Sequence, residues 1–235
     1  MKKILLIWDF DGVIADSEQL WVKIWYETLI KTKNIRLSKE QVQKYLVGMS
    51  AKTKQQILNE RFGPETIDET FLHDTNMQEK FQIEHVLRPI DGVREIFADD
   101  SFVHCVATGT IQKLAVLKLQ KVGLWKKYIN KQNCFTSDMV QNGKPAPDLF
   151  LLAASSMGYG PQDCVIIEDS VHGIHAALAA KMRVVAFIGA ENNNTQAYAD
   201  VCLKEGASQV FNNMKDLHLF LKEQNRRLNE AGGFE

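Results

Sequence analysis

The chain has 235 residues, 45% of them apolar and 24% charged, with a formal net charge of −1. That length and apolar content suffice to bury a real core, in one large domain or one domain with an insertion. The balanced charge gives no global footprint for nucleic acid or an anionic membrane, which leaves small molecules or proteins as partners.

The first predicted element is "KILLIW" (3–8), an unbroken apolar run that ends on Asp9, Phe10, Asp11 and Gly12. The run is shorter than the ~7–15 residues of a secretory signal core. No other stretch reaches the ~18 apolar residues of a membrane span. A carboxylate placed there costs several kcal/mol unless something pairs with it, so Asp9 and Asp11 require partners. Residues 18–84 then show no strand pattern, only amphipathic helices. Trp21, Trp25 and Leu29 recur at i, i+4, i+8, and Gly63-Pro64 separates a later pair. "RPIDGV" (88–93) returns the chain to its main domain. The expected division is a core of residues 1–17 and 88–235 with a helical cap of residues 18–87.

Strands and helices alternate from there. "FVHCVA" (102–107) reads as a strand ending on Thr108-Gly109-Thr110, and a helix over 111–122 stops at Gly123. A weaker strand, "NCFTS" (133–137), precedes Lys144 in "GKPAPD", and a helix over 148–157 stops at Gly158. "CVIIE" (164–168) ends on Glu168 and Asp169, and Ser170 leads into a helix carrying His172 and His175. That pair reads as surface histidines. "RVVAFI" (183–188) and the weaker "SQVF" (208–211) follow, and the tail from Asn225 is expected to fray. Continuous rather than alternating apolar strands signal burial on both faces. The predicted fold class is therefore α/β, a doubly wound parallel sheet (a Rossmann-like core) with a helical cap inserted after the first strand. Cys105, Cys134, Cys164 and Cys202 form no CxxC pair and read as buried thiols of a reducing compartment, with the cytoplasm as the expected address.

In such a sheet ligands bind at the carboxyl ends of the strands. Four of these ends carry Asp9 and Asp11, Thr108 to Thr110, Lys144, and Glu168 with Asp169. Clustered carboxylate oxygens with few imidazoles suit Mg²⁺. A lysine and a hydroxyl facing the same point supply the charge and donors that a phosphoryl group needs. A metal, a lysine and a shared phosphoryl group are thus the expected compensation for Asp9 and Asp11.

"DFDGVIADSE", "VATGT", "GKPAPDLF" and "IIEDSVHGIHAA" resemble, in order and spacing, the four motifs of the haloacid dehalogenase-like hydrolases. The helical insertion resembles the capped subgroup that contains phosphoglycolate phosphatase and β-phosphoglucomutase. The resemblance implies that Asp9 is the nucleophile, forming an aspartyl phosphate, and that Asp11 is the general acid and then the base. It implies that Thr108 and Gly109 hold the phosphoryl group and that Lys144 neutralises charge. Mg²⁺ would be held by Asp9, Glu168, Asp169 and the backbone carbonyl of Asp11. "VGMSAKTK" (47–54) lies where related caps carry a substrate-reading loop, so Ser50, with Lys52 or Lys54, is a candidate substrate contact.

The chain departs from the family pattern at Ala180-Lys181, where Ala-Gly is usual, and at Gly109-Thr110, where Asn-Ser or similar pairs are common. The implied activity is Mg²⁺-dependent hydrolysis of a small phosphorylated metabolite, phosphosugar or phosphoglycolate-like, by a monomer or homodimer without nucleic acid or membrane partners. The alternative is a phosphosugar mutase. Trp21 and Ala51 stand where β-phosphoglucomutase-like sequences carry a histidine and an arginine, which disfavours it. A phospho-accepting receiver domain is disfavoured too, because its acceptor lies on a later strand and it has no cap.

Overall fold

The computed structural model describes residues 3–46, 51–190 and 194–231. Contacts divide the chain into two compact units, Met1–Asp16 with Arg88–Glu235, and Ser17–Leu87. The first unit holds a six-stranded sheet of β1 (Leu5–Trp8), β2 (Val103–Thr108), β3 (Cys134–Thr136), β4 (Cys164–Glu168), β5 (Arg183–Phe187) and β6 (Val210–Phe211). All pairings are parallel, in the order β3-β2-β1-β4-β5-β6. All six expected strands are present, including the two weak ones.

The second unit consists, among its described residues, of the helices α1 (Glu18–Lys33), α2 (Lys39–Tyr45), α3 (Ala51–Phe62) and α4 (Glu69–His85). Trp25, Leu29, Leu58 and Phe71 form its core, the Trp25 and Phe71 rings meeting edge-on at 5.3 Å. Ser38 begins α2 with a capping box, and Asp68 caps α4 by accepting from the Phe71 amide at 2.8 Å. Trp21, expected on the same stripe, lies outside that core and is half-buried.

The remaining helices of the first unit are α5 (Val93–Phe97), α6 (Gln112–Lys121), α7 (Asp148–Ser156), α8 (Val171–Ala179), α9 (Gln196–Lys204) and α10 (Met214–Ala231). Gly123 and Gly158 follow α6 and α7 with φ of 74° and 77°, the left-handed turn that a glycine makes without strain. Leu5, Ile7, Cys105, Ile166 and Val184 pack on Leu149, Phe150, Ala153 and Ile174 of α7 and α8. All four cysteines are free and buried. The tail does not fray where expected. Helix α10 runs to Ala231, Asn225 accepts from the Ile4 amide at 3.1 Å and donates to the Ser101 carbonyl at 3.2 Å, and Gln224 is buried. Its polar sequence hid these two anchors.

The order of the strands positions the site. The chain winds outward from β1 through β2 to β3 on one side and from β4 through β5 to β6 on the other. The switch point thus lies between β1 and β4, where such sheets open a crevice. The register pairs Trp8 with Ile167, so the Asp9 amide donates to the Ile167 carbonyl at 3.0 Å. Asp9 is thereby set beside Glu168.

Candidate active site

Asp9 leaves β1 with 7% of its surface exposed. Lys144 Nζ donates to Asp9 Oδ1 at 2.7 Å and to Glu168 Oε1 at 2.5 Å, and lies 4.8 Å from the centre of the Phe150 ring. The other oxygen of Glu168 accepts from the amides of Asp169 and Ser170, both at 2.8 Å, and from the Ser170 hydroxyl at 3.0 Å. Ser170 also caps α8, accepting from the Gly173 amide at 3.0 Å. Glu168 is thus held from both ends, and it holds Lys144.

Asp169 completes the group. Asp9, Glu168 and Asp169 each offer a carboxylate oxygen within 4.8 Å of the others. Tyr198 donates its hydroxyl to the Asp169 carbonyl at 2.8 Å. Gly12, at φ 80°, lets the turn after β1 pass directly under Asp169, where a Cβ would sit 1.9 Å from Oδ2. Three buried carboxylates face one lysine, a surplus of negative charge that burial makes costly. Burial pushes the Asp9 carboxyl up to about 7. Lys144 pulls against that rise, and Glu168 and Asp11 add to it. Burial also pulls on Lys144, but Asp9 and Glu168 outweigh it and hold its ammonium above the usual lysine range. The donor set is oxygen-only, buried and over-charged, which fits a hard cation such as Mg²⁺.

The Asp11 carboxylate lies outside that acidic group. Lys118 Nζ reaches its two oxygens at 2.8 and 2.7 Å, and Thr110 Oγ1 donates to Oδ2 at 3.2 Å. Thr108 is buried at the end of β2, where its hydroxyl oxygen accepts from the Thr110 amide at 3.1 Å. Gly109 is exposed, and a Cβ there would meet no atom within 4 Å, so protein packing does not demand glycine at that position. Ser50 lies outside the described residues. Of its neighbours on α3, Lys54 is buried with Nζ 5.3 Å from the Trp25 ring centre, and Lys52 is exposed. His172 and His175 are exposed, and His175 pairs with Glu205 at 2.7 Å, as expected of surface histidines.

The sequence reading named Asp9, Lys144 and Glu168, which meet directly, and Asp169, whose carboxylate lies within 4.8 Å of the other two, and it left out Lys118, Gly173 and Tyr198. A signal for Lys118 was present. It falls on the stripe Ala115, Leu119, Val122, all buried, where a lysine is out of place. Nothing in the sequence marks Tyr198, whose contact spans two separate helix–strand connections.

Comparison with known proteins identifies the family. A family model described as haloacid dehalogenase-like hydrolase matches residues 6–187. A phosphorylated carbohydrates phosphatase of Thermotoga maritima is 28% identical over 178 residues, 74% of this chain and 80% of that one. A probable pseudouridine-5'-phosphatase of Drosophila melanogaster is 30% identical over 194 residues, 76% and 79% of the two chains. Among solved structures, a conserved haloacid dehalogenase-like protein of Agrobacterium tumefaciens superposes with a TM-score of 0.77 at 29% identity, covering 94% of this chain and 99% of its own. The chain belongs to the haloacid dehalogenase-like hydrolases, in their phosphatase subgroup.

Proposed function

We propose that this phosphatase hydrolyses a small phosphorylated metabolite, a phosphosugar or a phosphoglycolate-like ester, in the presence of Mg²⁺ and by way of an aspartyl phosphate on Asp9. The observation that carries this reading is the buried junction of Asp9, Lys144 and Glu168 at the switch point of the sheet, with Asp169 beside it. The names of the two phosphatase relatives support a phosphorylated carbohydrate or nucleoside monophosphate as the kind of substrate.

In the first step an Asp9 oxygen attacks phosphorus, the bond from phosphorus to the leaving oxygen breaks, and Asp11 gives that oxygen its proton. Lys144 places positive charge between Asp9 and the phosphoryl oxygens, and Thr108 with the Gly109 amide holds those oxygens. In the second step Asp11 takes a proton from water, the water oxygen attacks phosphorus, and Asp9 is released with inorganic phosphate. Asp9, Asp169 and the Asp11 carbonyl would hold Mg²⁺. Glu168, although hydrogen-bonded to Lys144, Ser170 and two amides, offers the third carboxylate oxygen of the acidic group and would join them. When bound, the ion offsets the surplus negative charge around Asp9 and the phosphoryl group. The helices of Ser17–Leu87 would serve as the cap that reads the rest of the substrate, and the four buried free thiols support a reducing, cytoplasmic setting.

The test is release of inorganic phosphate from a panel of phosphosugars, phosphoglycolate and nucleoside monophosphates, with Mg²⁺ and with excess chelator. Turnover of at least one ester, its loss in chelator, and its loss in a folded Asp9→Asn variant are expected. Full turnover in chelator or by the variant refutes the mechanism.

A further inference from the structure

Lys118 belongs to none of the motifs above, yet it is built into the site. It projects from α6 on the stripe of Ala115, Leu119 and Val122 and is 4% exposed, a placement that is costly for an ammonium without partners. Three oxygen acceptors lie within hydrogen-bond reach of its ammonium. These are Asp11 Oδ1 at 2.8 Å, Asp11 Oδ2 at 2.7 Å and Thr110 Oγ1 at 3.0 Å, with the Phe10 ring centre at 5.5 Å. Thr110 in turn donates its hydroxyl to Asp11 Oδ2 at 3.2 Å, which closes a ring of hydrogen bonds.

The two aspartates of the first motif are therefore held by different lysines. Asp9 belongs to Lys144 and the acidic group, and Asp11 belongs to Lys118 and Thr110. The Asp11 side chain keeps 25% of its surface, so it is fixed on the protein side and open on the other. An Asp carboxylate turns about two bonds, and proton transfer demands hydrogen-bond reach of the reacting oxygen. A fork of one lysine and one threonine removes that freedom before substrate arrives.

We infer that Lys118 is the positioning residue for Asp11, fixing its carboxyl group within reach of the leaving oxygen, to which the protonated acid gives its proton in the first step. The inference rests on the reading of Asp11 as the acid–base group. A poor leaving group needs the proton most, so the loss of Lys118 must show as dependence on the leaving group. A defect in folding or in phosphate binding would hit every ester alike.

The experiment compares the full-length protein with its Lys118→Met, Lys118→Arg, Thr110→Val, Asp11→Asn and Asp11→Asn/Lys118→Met variants. The substrates are 4-nitrophenyl phosphate, with a good leaving group, and glycerol 2-phosphate, with a poor one. Melting temperatures are recorded alongside. Lys118→Met is expected to lower kcat on glycerol 2-phosphate about tenfold or more, part of the ~10²–10⁴ that acid–base catalysis supplies. The burst on 4-nitrophenyl phosphate should change less, and KM should stay within about twofold. Lys118→Arg should recover part of the loss, Thr110→Val should repeat it in weaker form, and the double variant should be no slower than Asp11→Asn alone. Equal losses in the first, phosphoryl-transfer step on both esters, no loss, a gain in kcat, or additive losses in the double variant would overturn the inference. Where Asp11→Asn itself spares glycerol 2-phosphate, the reading of Asp11 falls first, and the role of Lys118 falls with it.

Discussion

Replacing Gly173 with alanine sets two effects of known size against each other. Gly173 is the third residue of α8, and alanine in a helix is worth up to ~1 kcal/mol over glycine. Propensity alone therefore expects a more stable protein. The site expects the reverse, because a Cβ on Gly173 would lie 1.9 Å from both Cδ and Oε1 of Glu168, far inside contact distance. Glu168 is buried to 1% exposure and cannot swing aside without leaving Lys144, two amides and the Ser170 hydroxyl. Each hydrogen bond to a charged group is worth ~1.5–3 kcal/mol, so losing two costs about 3–6 kcal/mol. After the propensity gain the net loss is about 3 kcal/mol. At ~2–4 °C per kcal/mol for a chain of this size, that is a fall in Tm of roughly 6–12 °C. Activity should fall as well, since Lys144 loses its second anchor. Thermal melts followed by circular dichroism would measure the shift. Gly143→Ala serves as the control, because its Cβ would meet nothing within 4 Å. A Gly173→Ala protein that melts at or above the parent temperature with full activity would refute the steric reading of the Glu168 pocket.

Three further outcomes follow from the same geometry. Lys144→Met leaves Asp9 and Glu168 facing each other without their cation, so stability should drop by ~3–5 kcal/mol in denaturant titrations. Its phosphatase rate should drop ~10²–10³-fold; an unchanged rate places Lys144 outside the chemistry. His104 takes a hydrogen bond from the Trp8 indole at 3.2 Å through Nδ1, and burial holds its pKa down to about 4, against 6.5 when unfolded. The unfolded chain thus binds a proton that the folded one refuses. Stability from this group is complete above pH ~6.5 and falls as pH drops toward 4, by up to ~1.4 kcal/mol per unit. His104→Gln should flatten that slope, and an identical slope in the variant would exclude His104 as its source. Finally, Trp21 cannot titrate and Ala51 cannot grip a second phosphate. A coupled assay on glucose 1-phosphate should therefore detect released phosphate and no appreciable glucose 6-phosphate, and faster isomerisation than release would favour the mutase.

The sequence by itself determined the alternation of elements and most of the acidic site. "KILLIW" and "CVIIE" are apolar on both faces because both faces are covered, and that pattern is local enough to read in a single chain. Asp9, Lys144 and Asp169 were legible for a related reason. Asp9 and Asp169 each follow an apolar run whose pattern a charge violates, and Lys144 was legible because its motif stands in order with the other three. What it could not supply were the partners. Lys144 meets Asp9 across 135 positions and Lys118 meets Asp11 across 107, through strand neighbours that no single strand specifies. Asn225 looked like frayed tail until the fold brought it to the Ile4 amide. Nothing in the sequence explains a glycine at 173 in the first turn of a helix, and the fold places the Glu168 carboxylate against it. Hydrophobic periodicity records only whether a residue faces a core. Which buried charge faces which is decided by the order β3-β2-β1-β4-β5-β6, because that order alone brings the ends of β1 and β4 together and leaves a buried carboxylate at each needing a cation between them.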